Sequence, residues 1–150
     1  MSDNYTIDNM DEAIGVANQF SRGFELCVKE HFNSLVGREY IKMGAPIIVN
    51  GCLACEIYLK VLTYPKVKEK EHNLKILFDN LKEPQIKNII NIVNIDEKDF
   101  YIKLDKIKNA FVIARYCYEK DNDVEVELVF LTSLIGALKE EINKEFSMEK

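Results

Sequence analysis

The chain has 150 residues, 47% hydrophobic and 30% charged, with a formal net charge of −5. This excludes a disordered chain and suffices for one domain, 1–150, with a sizeable core. The acidic balance argues against broad, nonspecific nucleic-acid binding, while the polar start "MSDNYTIDNMDE" and the lack of any uncharged apolar run near ~18 residues argue against a signal peptide or membrane span, so a cytoplasmic location is expected.

Six glycines and three prolines punctuate the sequence, and no stretch sustains the alternation of a strand, so the expected fold class is all-α. A first helix is expected from about Asn9 to about Met43. Its apolar positions Ile14, Ala17, Phe20, Phe24, Cys27, His31 and Leu35 are spaced by three or four, with Gly23 and Gly37 as places to bend or break it. His31 reads as a satisfied core histidine.

The segment from Ala45 to about Thr63 is apolar on almost every side, with Pro46 in its first turn, where a missing N–H costs little. A helix hydrophobic all round is buried among others, so Glu56 and Lys60, one turn apart, need an explanation. Either they form a narrow solvated strip with an i,i+4 pair worth about 0.2–0.5 kcal/mol, or they are a polar site built into the core. Cys52 and Cys55 form a C-x-x-C inside this helix, with no second pair and no metal-like spacing between His31 and His72. They read as small buried hydrophobes, and no metal is expected.

"YPKVKEKEHN" is a charged loop, followed by a short helix, His72 to Leu81, and another from Pro84 to about Asn94. His72 reads either as the helix-entry residue or as a titratable acid or base. In "NIDEKDF", Asp96 is an N-cap with acidic residues in the first turn. The fifth helix carries the seam Phe100, Leu104, Ile107, Phe111, Ala114, Tyr118, and the last carries Leu128, Leu131, Ile135, Leu138, Ile142 and Phe146. The expected architecture is an up-and-down helical bundle of four long helices plus one or two short ones.

Arg115 lies beside the fifth helix's seam, with Glu119 one turn further on. A half-buried arginine requires an acidic partner, so Glu56 is expected to turn inward to meet Arg115 or Lys60. In "VEVELVFLTSLIGAL", Val129, Phe130 and Leu134 widen the last helix's apolar face, which suggests a homodimer. No G-x-G-x-x-G, P-loop, H-E-x-x-H or G-x-S-x-G occurs, and no cofactor is expected.

"NGCLACEIYLKVLTYPKVKEKEHNLKILFDNL" resembles the HEPN superfamily (higher eukaryotes and prokaryotes nucleotide-binding domain), in which an A-x-E-x-x-L-K helix precedes a loop and H-x-L-x-x-L. Here these are Ala54, Glu56, Leu59 and Lys60, then His72, Leu74 and Leu77. "FVIARYCYE" is similar to the R-Y-x-Y-E helix end of some branches, so the resemblance covers about residues 45 to 120. It implies a compact, often dimeric helical domain associated with RNA binding or cleavage, toxin–antitoxin pairs or phage defence. Nuclease members carry an arginine followed, after four to six residues, by a histidine. No histidine follows Arg115, and eight residues separate Arg22 from His31, so that motif is missing.

Three readings follow. One is a non-catalytic HEPN-like module using Glu56, Lys60, His72, Arg115, Tyr118 and Glu119 to contact RNA, a nucleotide or a partner protein encoded nearby. A second is a divergent metal-independent ribonuclease, with His72 taking the proton of a ribose 2′-hydroxyl and Arg115 stabilising the charge on phosphate. A third is a structural adaptor.

Overall fold

The computed structural model describes residues 9–34, 44–67, 70–109 and 127–146. They form an all-α helical bundle: α1 (Met10–Ser34), α2 (Gly44–Thr63), α3 (Leu74–Asp79), α4 (Glu83–Val93), α5 (Glu97–Ile107) and α6 (Leu128–Phe146). Among the described residues there is no strand.

Local sequence explains several boundaries. The Asn9 side chain accepts the Glu12 N–H at 3.0 Å and so caps α1, whose first turn carries Asp11 and Glu12. Asn73 Oδ1 accepts the N–H groups of Lys75 and Ile76 at 3.0 and 3.2 Å. The short helix therefore starts at Leu74 and leaves His72 outside it; the capping acceptor is Asn73, so the expected start at His72 is corrected. Asp96 caps α5 through the Lys98 N–H at 3.2 Å, as expected. Asn94 ends α4 in the left-handed region, φ 59°, which asparagine tolerates better than most side chains.

Of two long helices expected from the sequence, one ends early and the expected end of the other lies outside the described residues. α1 is described as far as Ser34, and residues 35–43 lie outside the described residues. α5 stops at Ile107 and gives way to a turn at Lys108 and Asn109. There the Lys108 carbonyl accepts the Leu74 N–H at 3.2 Å, tying the end of α5 to the start of α3. The seam residues Phe100, Leu104 and Ile107 are fully buried, while Phe111, Ala114 and Tyr118 lie outside the described residues.

α2 is the central element, packed on α1, α3 and α6. At Gly51 an added Cβ would stand 2.8 Å from both Phe24 of α1 and Leu131 of α6, so the three helices meet there at a separation only glycine allows. Although α2 is long and apolar enough to cross a membrane, its apolarity is accounted for by its neighbours: Ala54, Cys55, Tyr58 and Leu59 are fully buried inside the bundle.

One core cluster takes residues from all six described helices. Phe78, Phe100 and Phe130 form a chain of rings with centroids 5.0 and 5.4 Å apart, joining α3, α5 and α6. Phe130 and Leu134 are thus spent internally, at 3% and 0% exposure, and of the three residues read as a dimer face Val129 alone is exposed. His31 is also corrected: it is half-buried near the end of α1, edge-on to Phe32, rather than in the core.

Candidate functional site

Because α2 is covered on nearly every side, a charged residue on it is carried into the core by the helix itself. Glu56 is 6% exposed. Desolvating a carboxylate costs far more than a surface ion pair returns, so it must be hydrogen-bonded and neutralised. Both needs are met. Glu56 Oε1 lies 2.9 Å from His72 Nδ1, and Oε2 lies 3.6 Å from Lys60 Nζ, one turn along α2.

The two partners differ in setting. The Lys60 side chain is 12% exposed, whereas that of His72 is 55% exposed. His72 is fixed by its position as well as by its bond, because Asn73 caps α3 and Leu74 bonds to Lys108 immediately after it. An ionised carboxylate only accepts, so Nδ1 carries the proton and Nε2 is left with its lone pair when the ring is neutral. A buried carboxylate that fixes the orientation and tautomer of a half-exposed imidazole equips the ring for proton transfer, and when protonated for holding an anion.

Of the sequence candidates, Glu56, Lys60 and His72 therefore come together. Arg115, Tyr118 and Glu119 lie outside the described residues. Lys60 was one of the two partners expected for Glu56. His72 as its hydrogen-bond partner was missed, since the two lie sixteen positions apart across a loop, where helical spacing says nothing.

The C-x-x-C pair belongs to the core. Burial, with the Glu56 charge adding to it, pushes the Cys52 thiol up to about 12, and burial raises Cys55 as well. Neither supplies thiolate near neutral pH. Among the described residues no group of three histidine, cysteine or acidic side chains gathers as a metal site.

Other buried polar groups escaped the sequence reading. The Tyr58 hydroxyl donates to Asn18 Oδ1 across α1 and α2, and burial pushes that phenol up to about 12. Gln85 accepts the Lys82 N–H at 3.0 Å and donates to Glu145 at 3.1 Å, linking α4 to α6. Glu141 is 3% exposed, and its Oε2 has no hydrogen-bond partner among the described residues. Its signal was legible, for Glu141 continues the stripe Phe130, Leu134, Ala137 at spacings of four and three.

No family model, curated protein or solved structure matches this chain.

Proposed function

We propose that the chain is a HEPN-like, non-catalytic binding module that contacts RNA through His72. The observation that carries this reading is the 2.9 Å bond from His72 to the buried Glu56 carboxylate, which holds a half-exposed ring in one orientation. The residues that meet there, Glu56, Lys60 and His72, are those of the A-x-E-x-x-L-K and H-x-L-x-x-L elements. A protonated His72 donates from Nε2 to a phosphate oxygen while Glu56 keeps Nδ1 occupied. The missing arginine–histidine spacing favours binding over cleavage. In this reading the module works as a cytoplasmic homodimer, in a toxin–antitoxin or phage-defence setting.

Fluorescence anisotropy with a labelled single-stranded RNA tests it. His72→Ala is expected to weaken binding while leaving the helical circular dichroism unchanged. Equal affinity for the variant and the parent protein would reject the site, and no binding at micromolar protein would reject the function.

The same bond favours one second reading, the metal-independent ribonuclease, because a carboxylate-held imidazole has Nε2 free to accept a proton from a 2′-hydroxyl. RNA cleavage in the presence of a chelator, abolished by His72→Ala, would establish it in place of the binding module.

A further inference from the structure

One face of α4 is committed to the core: Gln85, Ile89 and Val93 are buried, and the helix packs on α6. The neighbouring stripe is not. Ile86 and Ile90, one turn apart, are only half-buried, and with Ile95 they form the apolar part of a depression of about 380 Å³ that follows α4 to the start of α5. A volume of this size lies within the range of small-molecule sites.

Its charged lining comes from two helix starts. Glu83, in the first turn of α4, and Glu97, in the first turn of α5, both line it, and the Asn94 amide adds a neutral acceptor next to Glu97 in the chain. Both carboxylates are exposed, and neither enters an ion pair among the described residues. They also converge on one group: burial first, and then the charges of Asp79, Glu97 and Glu83, raise the Tyr101 phenol. Asp79 is answered by Lys75 at 3.1 Å. Glu83 and Glu97 therefore add to one another's field, and positive charge brought to both lowers their repulsion. Lys87, also exposed, lines the depression one turn after Glu83 and so lies between the two acids along the chain. A charge in the middle of a ligand is repelled there, whereas methylene groups gain from the isoleucines.

We infer that this depression binds a linear aliphatic diamine, one ammonium at Glu83, the other at Glu97 and Asn94, and the methylene chain on Ile86 and Ile90. None of these residues belongs to the Glu56–Lys60–His72 cluster, so the inference goes beyond the histidine reading and is independent of it.

Titration calorimetry of the whole chain at low salt, with a series of diamines from putrescine to octane-1,8-diamine, tests it. The best-fitting diamine is expected to saturate, with the monoamine of the same chain length at least about tenfold weaker. Glu83→Gln and Glu97→Gln are each expected to lose about three- to fivefold in affinity, while Glu140→Gln, the same charge change at an exposed position on α6, retains it. Lys87→Gln is expected to tighten binding, and most of all for spermidine, whose inner ammonium then meets no like charge. Failure of every diamine to saturate at millimolar concentration, equal binding of the monoamine, displacement by an equal concentration of magnesium, or unchanged affinity in the Glu83→Gln/Glu97→Gln double variant would overturn the inference.

Discussion

At the scale of single residues, Glu56 is where the sequence departs most from what its helix requires, and the cost of removing it measures how it is held. Glu56→Gln removes the ion pair to the nearly buried Lys60 and weakens the acceptor for His72, so a loss of about 2–3 kcal/mol is expected. His72→Ala removes only the half-exposed partner and leaves the Glu56–Lys60 pair in place, for a loss of about 0.5–1.5 kcal/mol. Urea unfolding of the two variants checks that order, and a larger loss for His72→Ala would contradict it. The Cys52 and Cys55 thiols give a pH dependence with a definite sign. A thiol raised from 9.0 to about 12 keeps its proton in the folded chain after the unfolded chain has lost it. That contribution is fully present below pH about 9 and is lost as pH rises towards about 12, at up to about 1.4 kcal/mol per pH unit for each thiol. Urea melts between pH 8 and 11 are expected to show falling stability, with a shallower slope for Cys52→Ala.

At the scale of elements, the bundle is organised around the close approach of α1, α2 and α6. Gly51 sits where an added methyl group would strike the Phe24 ring and the Leu131 side chain at 2.8 Å. Alanine is the better helix former by roughly 0.5–1 kcal/mol, but a ring and a branched side chain packed from two sides have little room to move. Gly51→Ala is therefore expected to destabilise by about 1–2 kcal/mol net, whereas Gly136→Ala on α6, with open space around it, is expected to stabilise. Thermal melts of the two variants moving in the same direction would refute this account of the crossing.

At the scale of the molecule, one core cluster runs through all six described helices, and the rings of Phe78, Phe100 and Phe130 tie its later elements together. Phe100 is 0% exposed and touches aromatic partners on α3 and α6 as well as its neighbour Tyr101. Phe100→Ala is expected to cost about 3–5 kcal/mol, measured by urea denaturation, while Ile102→Ala, half-exposed on the same helix, is expected to cost under about 1 kcal/mol. A loss confined to α3 and α5, with α1 and α2 melting separately at the parent midpoint, would show that the core does not act as one unit.

The amino-acid sequence by itself determined the fold class, the central place of α2 and the cap at Asp96, because these follow from the spacing of apolar residues and from a side chain bonding to backbone a few positions away. It also marked Glu56 as a charge held inward and named Lys60, one turn away, among its partners. What only the tertiary structure decided are the pairings across loops. His72 reaches Glu56 because Asn73 starts α3 and Lys108 anchors Leu74, and Phe130 and Leu134 turn inward because Phe100 and the other helices are there to receive them. Helical periodicity fixes which residues share a face, but which face meets which is settled by packing, where burial of one surface depends on every other.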